Sequence, residues 1–163
     1  MRFALFKSRE KVNEPVLSAS AHFELGRRGE ALAIEHLRQN GYRIVAANFL
    51  LPIGRNLRDV IVNAEIDVIA YDGPTLCFVE VKTRASNDFA PPQINVDLRK
   101  RRQISRAARA YRRMLGLVSA TYRYDVVTVI LKPDGSEPRI ELLKEFWSDA
   151  QLKKRRWHEQ YWD

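Results

Sequence analysis

Two acidic residues and a lysine stand close together in a stretch that is typical of a β-hairpin. Residues 65–84 contain two alternating, β-branched runs joined by Gly73-Pro74, and a Gly-Pro pair between such runs favours a tight turn. With that turn, Asp67 lies opposite Glu80, and Lys82 shares a side with Glu80 because residues two apart on a strand face the same way. Facing carboxylates beside an amine are typical of sites that bind a divalent cation and act on phosphate esters.

The same register predicts an apolar set of residues on the opposite face of the hairpin. Asp72 would pair with Thr75 at the turn, and a shift of one residue would break the apolar and the charged pattern together. We therefore expect one register and a buried face. The expected apolar pairs are Ala70 with Cys77, Val68 with Val79, and Ile66 with Val81.

Asp67 and Glu80 would repel each other in this arrangement. At about 5 Å and an effective dielectric near 20, the repulsion is roughly 3 kcal/mol. A hard divalent cation such as Mg²⁺ or Mn²⁺ would remove it, because such an ion takes carboxylate oxygens and keeps waters that leave room for a phosphate. The alternative is that Lys82 alone neutralises both acids in a partly exposed ion-pair network.

Several motifs, in this order, resemble a known family. The segments Glu65-Ile-Asp-Val-Ile-Ala70 and Phe78-Val-Glu-Val-Lys-Thr-Arg84 resemble the nuclease motif written PD-(D/E)XK. With Gly26-x-x-Gly29-Glu30-x-x-Ala33 upstream, the chain resembles the YraN family of small bacterial proteins over roughly residues 22–146. The resemblance implies a restriction-endonuclease-like α/β fold with a mixed sheet around the central hairpin and flanking helices.

The resemblance also implies a role for each site residue. Asp67 and Glu80 would bind Mg²⁺ or Mn²⁺ together with the Val81 carbonyl, and Lys82 would be the catalytic lysine. Glu30, on the upstream helix, would be a further catalytic acid that holds a second metal ion or a metal-bound water. The implied activity is metal-dependent cleavage of DNA, with branched or structured DNA as a candidate substrate. The residues alone leave open that Glu30 is a surface glutamate paired with a neighbouring arginine.

Positive charge is concentrated on one predicted helix, which is capped by Asp97 and reaches to about Leu115. Residues 97–113 contain eight Lys or Arg and one acid, so the charge is not neutralised locally. Contact with phosphates is the favoured interpretation, and a solvated face is the alternative. Five arginines at helical spacing, called the arginine ridge below, are Arg99, Arg102, Arg106, Arg109 and Arg113, widened by Lys100, Arg101 and Arg112. The helix's expected core stripe is Ile104, Ala107, Ala108, Tyr111 and Leu115.

The length and composition of the chain limit which class of protein it can be. A chain of 163 residues with 45% hydrophobic content is long enough for one domain with a real core. An excess of 28 Lys and Arg over 20 Asp and Glu gives +8 and favours a nucleic-acid partner, and Arg84 is a further candidate contact. No apolar run is long enough to cross a membrane, so a cytoplasmic protein is expected. Cys77 is the only cysteine and is predicted to be a core residue.

The remaining elements follow from caps and alternation. A helix is predicted from Ser18 or Ser20 to about Gln39, with strands at 42–49, 122–131 and 138–144 beside the hairpin. The expected order is therefore helix, three strands, helix, two strands. Residues 1–20 are expected to form a loosely ordered arm, and 21–146 the domain.

Three segments have two interpretations or no assigned chemistry. Residues 50–64 form either a flap over the site or an extended hairpin, and Ala64 stands where the family usually has Gly. Residues 85–95, with Pro91-Pro92, are expected to be a loop. Residues 147–163 mix aromatic and basic residues, which favours either base stacking or a helix that packs its tryptophans on the domain.

Two further functions stay open at this stage. One is a nucleic-acid-binding module on a nuclease fold that does not cleave, and the other is a scaffold whose basic surface is incidental. The sequence does not predict the oligomeric state.

Overall fold

The computed structural model describes residues 18–86 and 95–152, and its helices and strands follow the predicted order. The chain is a mixed α/β protein, as expected. In chain order the elements are α1 (Ala19–Gln39), β1 (Arg43–Arg55), β2 (Ile61–Asp72), β3 (Thr75–Ala85), α2 (Leu98–Met114), β4 (Tyr122–Leu131), β5 (Arg139–Trp147) and α3 (Asp149–Leu152).

The five strands form one open sheet in the order β1-β2-β3-β4-β5. Neighbouring strands are antiparallel except β3 and β4, which are parallel and therefore need the crossover that contains α2. The two long helices cover opposite faces. The core under α2 includes Ile104, Tyr111 and Phe78, and the core under α1 includes Ala33 and Val79. Each strand of the hairpin is thus buried on both sides.

The helix ends confirm the capping signals in the sequence. The Ser18 hydroxyl accepts a hydrogen bond from the Ala21 amide at the start of α1, and Asp97 Oδ1 accepts one from the Lys100 amide, at 2.8 Å, at the start of α2. Gly41 follows α1 with a φ of +83°, a backbone conformation that glycine adopts without steric cost. Leu115, expected in the core stripe of α2, is instead its exposed C-cap residue.

Residues 50–64 prolong the hairpin made by β1 and β2. The predicted strand at 42–49 continues to Arg55, which pairs with Ile61 across a short turn. Ala64 pairs with Leu51 and is buried. It is not one of the described non-glycine residues with positive φ, so alanine is accommodated here without backbone strain.

The last strand is longer than predicted and ends in the core. β5 reaches Trp147, whose side chain is buried and whose ring stacks on Tyr124 with a centroid distance of 4.8 Å. The Trp147 indole N–H donates to Ser105 on α2, at 3.2 Å. Trp147 is therefore part of the domain's packing.

Three predictions concern residues outside the described part of the chain. They are the arm up to residue 17, the Pro91-Pro92 segment of the loop at 87–94, and the basic and aromatic residues from 153 onwards. Among the described helices, each is too short or too polar to cross a bilayer.

Candidate active site

The predicted hairpin register is confirmed from the turn as far as Val68 and Val79. Beyond that pair the ladder between β2 and β3 stops, and β2 continues beside β1 alone. The next two expected pairs, Asp67 with Glu80 and Ile66 with Val81, are therefore not formed in the ladder. Ile66 packs in the core under α2, whereas Val68 packs under α1, so the alternation of faces breaks at Asp67.

Asp67 is the physical cause of this break. Its Oδ2 accepts a hydrogen bond from the Val81 amide at 2.8 Å, in the place of a backbone carbonyl of β2. Asn48, on the neighbouring strand between the residues paired with Val68 and Ile66, has a φ of +51°. Since the side chain satisfies the amide, the two strands separate without leaving that donor unpaired. We call this opening the β2–β3 fork.

Glu80 and Lys82 lie on β3 beside the fork. Only 2% of the Glu80 side chain is exposed, and its Oε1 lies 2.9 Å from Lys82 Nζ. This contact agrees with the expectation that the two residues share a side of the strand. Asp67 is also largely buried, with 13% of its side chain exposed.

Lys100, on the first turn of α2, also reaches the two carboxylates. Its Nζ lies 3.2 Å from Glu80 Oε2 and 4.0 Å from Asp67 Oδ1. Two carboxylates and two ammonium groups therefore meet at the fork, and their formal charges cancel. The assignment of Lys100 to the widened ridge is wrong, and so is the assumption that Lys82 is the only cation near the pair. The inward position of Lys100 could have been predicted from helical spacing. Lys100 precedes Ile104 and Ala108 at steps of four residues and so lies on the buried stripe of the helix.

Burial controls the protonation of these groups. Burial, together with the neighbouring Glu80 carboxylate, raises the pKa of Asp67 to about 7, although Lys100 and the Val81 amide act to lower that pKa. Burial by itself lowers the pKa of Lys100, but attraction to Asp67 and Glu80 outweighs it and the net pKa is raised. Lys100 therefore stays charged in the metal-free protein.

The oxygen atoms at the fork fit a hard cation that needs few protein ligands. Glu80 Oε2 is buried and has no hydrogen bond of good geometry within the described residues, although the Lys100 ammonium lies 3.2 Å away. A residue in an extended strand directs its N–H and C=O to the same side, so the Val81 carbonyl faces the fork as its amide does. In residues 18–86 and 95–152 no three His, Cys, Asp or Glu side chains form a metal-binding group. Two carboxylates and a carbonyl suit Mg²⁺, which keeps several waters.

Glu30 lies on α1, close to the open part of β3. Gly29, its neighbour, packs so tightly that an added Cβ would lie 1.8 Å from Thr83 Oγ1, and Thr83 follows Lys82 past the fork. Within the described chain Glu30 forms no ion pair and does not join Asp67 and Glu80 in a three-carboxylate group, and Arg27 pairs with Glu24 instead. Its role as a metal ligand stays a prediction.

All five side chains of the arginine ridge are exposed, as expected, but two have partners in the chain. Arg106 donates to the Ile53 carbonyl of β1, and Arg109 lies 3.9 Å from Asp149. Arg99, Arg102 and Arg113 have no ion pair or side-chain hydrogen bond among the described residues. Arg84, near the end of β3, is exposed too.

Two cations expected to widen the ridge are engaged by their own chain. Arg101 donates to the Val96 carbonyl and lies over the Phe146 ring, with its guanidinium carbon 5.2 Å from the centroid. Arg112 stacks on Tyr122 at 3.7 Å. The surface that is free to contact phosphates is therefore narrower than the sequence indicated.

Comparison with known proteins places these features within one family. The model of the family described as "Uncharacterised protein family UPF0102" matches residues 29–129, which include Glu30, the fork and α2. A UPF0102 protein of Koribacter versatilis is 43% identical over 123 residues, covering 76% of this chain and 78% of the relative. One from Geobacter sulfurreducens is 43% identical, covering 78% and 91%, and one from Porphyromonas gingivalis is 42% identical, covering 74% and 81%.

Proposed function

The chain belongs to the UPF0102 family, also called YraN, and we propose that this member is a divalent-metal-dependent nuclease that cleaves phosphodiester bonds in DNA. The fold proposed with it is the restriction-endonuclease-like one. Mg²⁺ or Mn²⁺ is the proposed cofactor, and branched or structured DNA is the proposed substrate.

One observation carries the proposal. At the β2–β3 fork, the buried carboxylates of Asp67 and Glu80 meet where the backbone ladder stops, and Glu80 Oε2 has no hydrogen bond in the described structure. Its near neighbour is the Lys100 ammonium, 3.2 Å away, so a divalent ion that replaced this contact would still leave the oxygen paired with positive charge. Lys82, with its Nζ 2.9 Å from Glu80 Oε1, adds an amine at the same place.

Each residue at the fork has its own role in the proposed hydrolysis. Asp67, Glu80 and the Val81 carbonyl would hold the ion, and the bound ion would polarise the phosphate and lower the pKa of a water. Lys82 orients the attacking water or stabilises the negative charge that develops on the phosphate oxygens. Glu30 would support a second ion or a metal-bound water from α1. The exposed arginines of α2 hold the nucleic-acid backbone by its phosphates.

The test is a cleavage assay with linear, single-stranded and branched DNA in Mg²⁺, Mn²⁺ or EDTA. We expect cleavage that requires metal, with Asp67→Asn, Glu80→Gln and Lys82→Met each reducing the rate by at least about 100-fold. Glu35→Gln, at an exposed site on α1, is the matched control and should leave the rate unchanged. Activity that survives in Asp67→Asn and Glu80→Gln would contradict the proposal.

A nucleic-acid-binding module without catalysis is the second candidate, and the neutral fork favours it. Lys82 and Lys100 already balance the two carboxylates without a metal, while Arg99, Arg102 and Arg113 remain exposed. This function predicts salt-dependent DNA binding with no cleavage in any divalent metal. A protein that neither cleaves nor binds DNA would contradict both the nuclease and the binding module.

A further inference from the structure

The four carboxylate oxygens at the fork have three neighbours, which are the Lys82 ammonium, the Val81 amide and the Lys100 ammonium. Glu80 Oε1 is 2.9 Å from Lys82 Nζ, and Asp67 Oδ2 accepts the Val81 amide. Glu80 Oε2 and Asp67 Oδ1 are the two oxygens left over, and both face Lys100 Nζ, at 3.2 and 4.0 Å. Lys100 Nζ thus lies beside the two oxygens that are not taken by Lys82 or by the Val81 amide.

We propose that the Lys100 ammonium is a tethered cation that occupies the metal position in the metal-free protein, so that a divalent ion must displace it to bind. This inference rests on the proposed metal site, because it concerns the same two oxygens. It assigns to Lys100 a role separate from that of Lys82, which contacts the other oxygen of Glu80.

The anchoring of Lys100 allows such a displacement. Its backbone amide is held by the Asp97 side chain in the first turn of α2, which fixes the start of the side chain. The ammonium at the other end is held by its attraction to the Glu80 and Asp67 carboxylates. With 29% of the side chain exposed, the flexible stem can turn towards solvent without unfolding the helix.

Electrostatics predicts how Lys100 would affect the affinity of the site for a metal ion. A monovalent ammonium and a divalent ion of similar reach cannot share two oxygens, because their like charges repel at short range. Removal of the ammonium would leave Glu80 with Lys82 as its remaining cation and Asp67 with only the Val81 amide, which destabilises the metal-free protein and favours the metal-bound one. The site would then bind metal more tightly although it has lost a native contact.

The experiment is a calorimetric titration of nucleic-acid-free protein with Mn²⁺ at fixed pH and salt. We compare wild type with Lys100→Met and, in case that variant folds poorly, with Lys100→Gln, whose amide can still donate to Glu80. Lys82→Met removes an equal charge at the other oxygen, and Arg99→Gln removes an exposed charge from the same turn of α2.

We expect Mn²⁺ affinity to rise about tenfold or more in both Lys100 variants, less in Lys82→Met, and not at all in Arg99→Gln. Melting temperature in EDTA should fall in Lys100→Met. Unchanged or weaker Mn²⁺ binding by the Lys100 variants, beside a wild type that binds, would overturn the competition and leave the nuclease proposal intact.

Two further outcomes separate the inference from the proposed function. Mn²⁺ binding by Lys100→Met but not by wild type would support the competition and contradict a metal-dependent wild-type enzyme. Absence of binding in every variant would overturn both.

Discussion

The groups around Asp67 have opposite effects on the ionisation of its carboxyl group. One oxygen accepts the Val81 amide and holds the fork open, while the other faces Lys100. The hydrogen bond favours the ionised form, but burial and the nearby Glu80 disfavour it more strongly and bring the pKa to about 7 from an ordinary 3.8. The metal-free protein therefore holds a carboxylate that is costly to ionise and that a cation would stabilise.

This raised pKa makes metal-free stability depend on pH. Between about pH 4 and pH 7 the folded state binds more protons at Asp67 than the unfolded state does, so the contribution of Asp67 to stability falls as pH rises through that window. Asp67→Asn keeps an acceptor for the Val81 amide and removes the titration. We expect the variant to flatten this part of the pH profile and to match or exceed wild-type stability at pH 8 in EDTA.

Urea unfolding in EDTA from pH 4 to pH 8 measures the effect. Glu35→Gln, at an exposed glutamate, should keep the wild-type slope. An Asp67→Asn protein that is less stable at pH 8 and follows the wild-type slope would show that Asp67 is ionised without penalty.

Among the elements, α1 is placed by one close approach to the sheet. Gly29 lies against Thr83, where β3 has already lost its neighbour β2. Gly26, one turn earlier, has open space around its missing Cβ. Of these two glycines, Gly29 is the one at which the packing requires a residue without a side chain.

This difference predicts opposite effects of alanine at the two positions. Gly26→Ala should hold or raise stability by up to about 1 kcal/mol, since alanine is the better helix former. Gly29→Ala should lower stability by about 1–3 kcal/mol, because its Cβ would lie 1.8 Å from Thr83 Oγ1 and the helix must shift. Chemical denaturation of both single variants measures this.

The double variant Gly29→Ala with Thr83→Gly should recover part of the loss, since it removes the atoms that clash. A double-mutant cycle with no coupling between the two positions would contradict the packing account.

Across the whole molecule, the charge of +8 is distributed unevenly and is only partly available to a partner. Arg101 and Arg112 support the chain's own loops and rings, and Lys100 serves the fork. The exposed ridge residues without partners in the described structure are Arg99, Arg102 and Arg113. Net charge therefore overstates the phosphate-binding surface.

Salt dependence of DNA binding tests which arginines contact phosphates. The triple variant Arg99→Gln, Arg102→Gln and Arg113→Gln should weaken binding and lower the slope of log affinity against log salt by up to about three. Its free energy of unfolding should change little. Arg112→Gln, in contrast, should lower stability through the lost stacking on Tyr122 while it changes the slope little. A triple variant with unchanged slope would remove α2 from the binding surface.

Much of the architecture was predictable from local patterns. Alternation around Gly73-Pro74 determined the hairpin and its register as far as Val68 and Val79, because a strand's period of two leaves no other way to bury its apolar residues. Ser18 and Asp97 determined where the helices begin, since a cap acts on amides three residues away. The Lys82–Glu80 contact followed from the same spacing.

Only the tertiary structure decided where the hairpin ends and which cation meets its acids. The ladder stops because the Asp67 side chain, and not a backbone carbonyl, accepts the hydrogen bond of the Val81 amide. The alternation of apolar and polar residues along the strand does not predict which of these acceptors is used. Lys100 reaches Glu80 because the crossover that follows β3 brings the first turn of α2 back to the fork, about 20 residues further along the chain. Sequence patterns describe neighbours along the chain, whereas the charges at this fork come from three separate elements.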